Sequence, residues 1–593
     1  MNLPKQLLSV ALIAGLMASA CTGGGKKPTP PVSTPPVAET PPKPAEPAGR
    51  TVDWWMQQMS LEEKVGQLFW FGLPEAATTP EAEQLVKEGK VGGFIFFARQ
   101  GNDPEQLRKM TGRLQALGKE RQRPTPGLVI SVDHEGGIVQ RWGPPYFTTW
   151  PGNMAIGATR SEAYAEQVAA AMAQELSSVG VTMNLAPDVD VNVNPANPVI
   201  GVRSYGEDPE LVARLATAAI KGTQNQQVSA VAKHFPGHGD TAVDSHMAMP
   251  TVNHPMDRLE KVELVPFKAA MAAGVDVVMT AHIMFPAVAT DLHPATLSQP
   301  VIQGLLKDKL GFKGVAVTDA IDSMKAITDN YGLERALVMA IQAGVDVLLV
   351  TDSFAKQASF HAQIVQAVKD GRIPEARLND AVRRNLELKA KRGLLPETGA
   401  KPAAPAAVNS EANQKLSLQV GADALTLVRN KHLPLKLKPE QTVLAVGPSY
   451  GRQVTGTPDV RTSLGAGLAA VHPIVKEIAL EKKPSAANIA AVKDAARTAD
   501  VIVYGVANAK SYPDHQALIR DLIATGKPVI VVGMGEPYDL TTLPEIETYV
   551  AAYGYQDSNL RGVGALLFGQ APPKGKLPVS IPGLYPFGHG LTY

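Results

Sequence analysis

From about residue 52 to residue 392, short apolar runs alternate with stretches of helical periodicity. The runs fall at residues 67–71, 93–97, 128–132, 183–186, 228–232, 277–280, 314–318 and 345–350, each short, bounded by polar or turn residues and rich in branched side chains, as buried strands are. Between most of them the apolar positions recur with a period near 3.6, for example over 161–178, 209–224, 259–273 and 333–343. Eight strands alternating with helices predict an α/β fold, an N-terminal (β/α)8 TIM-type barrel over residues 51–394. A doubly wound open sheet is the alternative that the same alternation allows. Residues 395–409 are rich in proline and alanine and read as a linker. Further apolar runs at 442–446, 501–504, 528–532 and 547–552, with a helical stretch at 515–524, predict a smaller α/β layered domain over 410–593.

The first fifty residues break this pattern. Lys5 precedes an apolar run at 7–17 that is too short to span a bilayer comfortably. Ala18, Ser19 and Ala20 then lead to Cys21, the single cysteine of the chain. Residues 1–21 therefore read as a signal peptide ending in a lipobox, with Cys21 as the lipidated residue, although Ala18 stands where a leucine is usual. Residues 22–50 hold nine prolines between Pro28 and Pro47 and almost no large apolar side chain, so they are expected to be a disordered linker. The Pro28–Pro47 part would span roughly 60 Å if extended at about 3.1 Å per residue. The expectation is an extracytoplasmic protein anchored to a membrane through lipid.

Composition narrows the choice further. With 57 basic and 56 acidic side chains the chain lacks the basic excess of a nucleic-acid binder. With Cys21 lipidated, no thiol remains for disulfides or catalysis. The densest chemistry lies in Lys233-His234-Phe235-Pro236-Gly237-His238-Gly239-Asp240, followed by Asp244-Ser245-His246. Pro236, Gly237 and Gly239 forbid a helix there, so the stretch reads as a loop after the fifth strand. Asp133 follows the third strand, Arg203 lies in a loop after the fourth, and Asp319 follows the seventh. In a barrel all of these converge on the face at the strands' C-terminal ends.

Metal hydrolysis fits poorly. His234 and His238 are four apart but cannot share a helix face across Pro236, and Leu68-Phe69-Trp70 stands where a His-x-His pair would follow the first strand. No metal and no cofactor are expected. Covalent glycosyl transfer fits better: a carboxylate attacks an anomeric carbon while an acid protonates the leaving oxygen. Asp319 is the best nucleophile candidate. Asp244 and His246 offer a dyad as the acid, provided the loop turns enough for residues two apart to meet. Lys233, Arg203 and Asp133 suit a pocket that hydrogen-bonds hydroxyls, since paired charges can be buried.

The run K-H-F-P-G-H-G-D-T…D-S-H resembles the signature of glycoside hydrolase family 3, in its two-domain β-N-acetylglucosaminidase branch. Similar too are S-V-D-H-E-G-G at 131–137, G-V-R-S-Y-G-E-D-P at 201–209, G-F-K-G-V-A-V-T-D-A at 311–320 and the C-terminal G-K-L-P-V-S-I-P…Y-P-F-G-H-G-L-T-Y, so the likeness spans about residues 52–593. The resemblance implies a retaining exo-β-N-acetylglucosaminidase that takes terminal non-reducing β-linked N-acetylglucosamine from peptidoglycan fragments or chitooligosaccharides. It implies Asp319 as nucleophile, His246 as acid/base oriented by Asp244, and Asp133, Arg141, Arg203, Lys233 and His234 as sugar-binding residues. The family often has Ser-Asp-Asp at the nucleophile, where this chain has Thr318-Asp319-Ala320. The β-glucosidase branch takes its acid/base glutamate from the second domain, and no glutamate occurs between Glu481 and Glu536 here. Three alternatives stay open: that β-glucosidase, a phosphorylase, in which a neutral histidine repels phosphate less than a carboxylate would, and an inactive cell-wall-binding lipoprotein. The chain is expected to act as a monomer.

Overall fold

The computed structural model describes residues 51–593 apart from residues 76, 121–124, 396–407 and 449–463. The expected signal peptide, Cys21 and the stretch 22–50 lie outside the described residues, as does most of the linker expected at 395–409. Among the described residues no helix is long and apolar enough to cross a membrane.

Eight parallel strands form the first sheet: β1 (Phe69–Gly72), β2 (Gly93–Phe96), β3 (Val129–Val132), β4 (Met183–Asn184), β5 (Ser229–Phe235), β6 (Val277–Thr280), β7 (Val315–Thr318) and β8 (Leu348–Val350). From β1 to β7 each strand pairs with the next, β8 pairs with β1, and a single bridge between Val317 and Val347 brings β7 against the chain entering β8. The sheet is thus a barrel and not the open alternative. Its interior is one apolar cluster drawn from alternate positions of the strands, among them Trp70, Ile95, Val129, Met183, Val231, Val277, Met279, Val315, Val317 and Leu349. That is the period of two a strand imposes on its side chains.

Three local expectations need correction. The first strand starts at Phe69, because Gln67 still belongs to the helix Leu61–Gln67, nucleated by a reciprocal cap between Ser60 and Glu63. The helix expected over 259–273 is two, Met256–Lys261 and Leu264–Ala272. Pro266 has no N–H to offer the Val262 carbonyl four residues back, so that carbonyl accepts instead from Val265 N at 3.3 Å and the helix is interrupted. Finally, Lys233, His234 and Phe235 are not loop: β5 runs through them, with a register shift against β6 between Ala232 and Phe235, and the loop begins only at Pro236.

The second sheet is mixed and six-stranded: β9 (Thr426–Arg429), β10 (Val443–Pro448), β11 (Val475–Leu480), β12 (Val501–Val506), β13 (Val529–Gly533) and β14 (Thr548–Ala551), in the order β9-β14-β13-β12-β10-β11. Only the β9–β14 pair is antiparallel. The two edge strands were not expected; β11 is mostly solvent-facing, so its apolar content is low. The two sheets share packing. Ile138, Val139, Met154, Ala155 and Val202 of the first domain belong to the core cluster of the second. Glu207 accepts from Ser580 N at 2.8 Å, and Arg160 donates to the Leu577 carbonyl and covers the Phe587 ring at 4.0 Å.

Candidate active site

The inward register of the strands carries on past their ends. Two residues beyond Ile95 comes Phe97, which packs on the barrel's inner cluster. Two beyond Ser131 comes Asp133, two beyond Val231 comes Lys233, and two beyond Val317 comes Asp319. The same alternation that fills the barrel with valine and isoleucine thus places an acid, a base and an acid in its mouth. A tight hairpin after β3 pairs His134–Gly136 with Val139–Gln140, Gly136 and Gly137 both at positive φ, and returns Arg141 beside Asp133.

These charges form one buried network. Lys233 Nζ lies 3.0 Å from Asp133 Oδ1 and 2.7 Å from Glu135 Oε1. Arg203 donates from Nε and Nη2 to the two oxygens of Glu135 at 2.9 and 2.7 Å. Arg141 Nη2 donates to Asp133 Oδ2 at 2.9 Å. Burial alone would push both acids up, but the Lys233 and Arg141 charges hold Asp133, and the Arg203 and Lys233 charges hold Glu135, below the usual carboxylate range. Burial opposes the charge on Lys233 as well, and Glu135 and Asp133 more than restore it. The network is charged throughout and presents fixed donors and acceptors at the barrel mouth.

His234 is set by a second buried layer. Its Nδ1 lies 2.7 Å from Asp190 Oδ2, its Nε2 is 3.4 Å from Arg203 Nη2, and the same Nε2 is 3.9 Å from Asp319 Oδ2. Burial, then the Arg203 charge, lower its pKa to about 4, so the ring is neutral at ordinary pH. Asp190 accepts from the His234 and His238 backbone N–H groups and faces the ring as an acceptor too, so Nδ1 carries the proton and Nε2 is left as an acceptor. The chain after β4 that supplies Asp188 and Asp190 runs against β5, and Gly239 approaches it so closely that a Cβ there would lie 1.8 Å from the Val191 carbonyl oxygen.

Asp319 is partly open to solvent, with a quarter of its side chain exposed. Its Oδ1 accepts from Ala320 N at 2.7 Å. Burial raises its pKa, but His234, His282, His246 and Lys233 together bring it below the ordinary value, so it is ionised. The loop beyond β5 turns at Asp244, whose carbonyl accepts from Met247 N and Ala248 N. That turn lets residues two apart meet: Asp244 Oδ1 takes His246 N at 2.9 Å and stands 2.8 Å from His246 Nδ1. The Asp244 hydrogen bond raises the His246 pKa, burial opposes it, and the Asp319 charge adds to the rise. The ring is half exposed, with Nδ1 committed to Asp244 and Nε2 left for proton exchange.

All eight residues singled out in the barrel sequence therefore fall around one mouth. Glu135, Asp188, Asp190 and His282 were not foreseen. Glu135 stands two residues from Asp133, beside two glycines, and reads as a turn residue until its two cationic partners are seen. His238 is turned away, with Nδ1 2.8 Å from Thr241 Oγ1. Two groups of acids and histidine have ligand atoms close enough to share a cation: Asp188, Asp190 and His234, and Asp240, His254 and Glu263. In the first, Arg203 Nη2 is 3.7 Å from Asp188, and in the second Arg258 Nη1 donates to both Glu263 oxygens at 2.7 Å, so each group has a guanidinium at its edge.

Comparison with known proteins accords with this geometry. The sequence matches the Glycosyl hydrolase family 3 N terminal domain over residues 60–388 and the Glycosyl hydrolase family 3 C-terminal domain over residues 425–593. It is 31% identical over 550 residues to β-hexosaminidase A of Pseudoalteromonas piscicida, covering 85% of this chain and 91% of that one. It is 28% identical over 559 residues to a β-N-acetylglucosaminidase/β-glucosidase of Cellulomonas fimi, covering 88% and 94%. The fold superposes on a glycoside hydrolase family 3 β-N-acetylglucosaminidase from Paenibacillus sp. str. FPU-7 with a TM-score of 0.83 and 38% identity, over 88% of this chain and 99% of that one. The charged barrel mouth and the two matched domains have one explanation: this chain is a glycoside hydrolase and belongs to glycosyl hydrolase family 3.

Proposed function

We propose that this chain is a retaining exo-β-N-acetylglucosaminidase. The observation that carries the reading is the pairing of Asp244 with His246 at 2.8 Å, on the loop beyond β5, together with an ionised Asp319 at the end of β7. The names of the Pseudoalteromonas and Paenibacillus relatives support the substrate class. In the first step a carboxylate oxygen of Asp319 bonds to the anomeric carbon as the bond to the leaving oxygen breaks. That oxygen takes the Nε2 proton of His246. In the second step neutral His246 takes a proton from water, the water oxygen bonds to the anomeric carbon, and the ester to Asp319 breaks. Asp133, Arg141, Arg203, Lys233 and His234 hold the sugar hydroxyls. Terminal N-acetylglucosamine of peptidoglycan fragments or chitooligosaccharides is the substrate, and lipid on Cys21 holds the monomeric enzyme outside the cytoplasm.

Trapping tests the central step. A 2-acetamido-2-deoxy-5-fluoroglycosyl fluoride should accumulate an ester on Asp319, found by peptide mass mapping. Label on another carboxylate refutes the assignment. Release of N-acetylglucosamine 1-phosphate in phosphate buffer, in place of free sugar, would make phosphate and not water the second acceptor.

A further inference from the structure

The loop after β5 carries the Asp244–His246 dyad on its outer side. Val243 and Met247 are 40% and 64% exposed, and His246 itself is half exposed. Ser245, between the two members of the dyad, is instead buried, at 4%. Its Oγ lies 3.3 Å from His238 Nε2, and its carbonyl accepts from Ala326 N at 3.3 Å, on the chain that continues from Asp319. His238 is fixed from behind. Its N donates to Asp190 Oδ1 at 2.6 Å, its carbonyl accepts from Asn197 Nδ2 at 2.8 Å, and its Nδ1 lies 2.8 Å from Thr241 Oγ1. Asp190 is also the partner of His234 Nδ1, so one buried carboxylate seats both histidines. Burial lowers the His238 pKa to about 4, so the ring is neutral. One ring nitrogen then donates and the other accepts, and the Thr241 and Ser245 hydroxyls can meet either, because a hydroxyl does both.

We propose that Ser245, with its hydroxyl docked on His238, is the positioning residue that holds His246 where it can protonate the leaving oxygen. This rests on the reading of His246 as acid/base. The turn at Asp244 is closed by its own hydrogen bonds, so the dyad can move as one piece. Ser245 joins that piece to two fixed points, His238 just beyond β5 and the chain beyond the nucleophile. A general acid must lie within hydrogen-bond reach of the oxygen it protonates, and small displacements of a reacting group are costly. Removing the hydroxyl frees one of the two points. The nucleophile and the charged network of Asp133, Glu135, Arg203 and Lys233 do not touch Ser245, so the loss falls on proton delivery.

The test compares kcat/KM on diacetylchitobiose, whose sugar leaving group needs a proton, and on 2,4-dinitrophenyl β-N-acetylglucosaminide, whose leaving group does not. In the full chain, Ser245→Ala should lose about 3- to 10-fold on diacetylchitobiose, the weight of one neutral hydrogen bond, and keep its rate on the dinitrophenyl substrate. Ser245→Thr, which retains the hydroxyl, should restore most of the loss. His238→Phe should show the same preference for the good leaving group. The double variant Ser245→Ala/His238→Phe should lose no more than the worse single one, because both remove the same contact. A merely structural role would slow both substrates alike. Equal slowing, an unchanged rate on diacetylchitobiose, or losses that multiply in the double variant each overturn the proposal. Should His238→Phe fail to fold, the two substrates compared in Ser245→Ala decide. If His246→Ala itself slows both substrates equally, the acid/base reading falls and this inference with it; if His246→Ala discriminates and Ser245→Ala does not, only the positioning role falls.

Discussion

His246 shows how two neighbouring side chains set a chemical role. Asp244 favours the protonated ring through a 2.8 Å contact, and protonated imidazole is what the first step needs. His246→Ala should lose about 10²- to 10⁴-fold in kcat/KM with sugar leaving groups. It should lose far less in the glycosylation step with nitrophenyl or dinitrophenyl leaving groups, which depart without a proton. Equal slowing of good and poor leaving groups refutes the shuttle. Asp244→Asn removes the first cause of the raised His246 pKa, so the alkaline limb of the pH–rate profile should move to lower pH. A limb that stays in place means that another group donates the proton. Asp319→Ala should fold as the wild type does, by circular dichroism, and lose nearly all turnover.

At the scale of the element, the hairpin after β3 and the loop after β5 position more than they expose. Glu135 is buried against Arg203 and Lys233, both themselves nearly inaccessible. Removing one member of a buried network strands its partners, so Glu135→Gln should destabilise by about 3–5 kcal/mol in a denaturant titration. The pH dependence has a definite sign. Glu135 and Asp133 have folded pKa values below their ordinary 4.5 and 3.8, so their contribution is complete above about pH 4.5 and is lost as pH falls. The slope of stability against pH below 4.5 should therefore be shallower in Glu135→Gln. A parallel slope would show that other carboxylates dominate acid unfolding. Gly239 plays a different part, since a methyl group there meets the Val191 carbonyl at 1.8 Å and must push the β4 and β5 loops apart. Gly239→Ala should cost about 1–3 kcal/mol, as overpacking does, and reduce turnover through the displaced His246 loop.

For the whole molecule, the shared core argues that the two domains fold together. Met154, Ala155 and Val202 of the barrel domain are buried among residues of the second sheet, and Tyr164 donates to Asp423 at 2.8 Å across the same contact. Domains joined only by a linker unfold separately, whereas an apolar interface couples them. Scanning calorimetry of the full chain should show one endotherm. Two resolved transitions would refute the coupling. A fragment ending near residue 394 would bare this apolar face and should aggregate.

Much of this was legible in one dimension. Eight apolar runs separated by amphipathic stretches specify strands and helices, because burial imposes periods of two and 3.6. The strand ends could be read to within a few residues, so Asp133, Lys233 and Asp319 could be placed on one face from the barrel rule alone even though β5 runs on through Phe235. What pairs with what could not be read. Glu135 meets Arg203 and Lys233 across 68 and 98 residues of chain, and nothing local distinguishes it from a hairpin acid. His282 is a lone histidine after an apolar strand, and only the fold brings it against the Asp319 main chain. The solvent-facing strand β11 depends likewise on neighbours distant in sequence, whereas the Asp244 turn and the break before Leu264 rest on local hydrogen bonds and on Pro266. Periodicity follows from each segment's own contact with water, so the sequence alone determined most of the elements and narrowed the first domain to a barrel or an open sheet. The choice between them, the ion pairs and the close backbone approaches follow from which segments meet, and that only the tertiary fold decided.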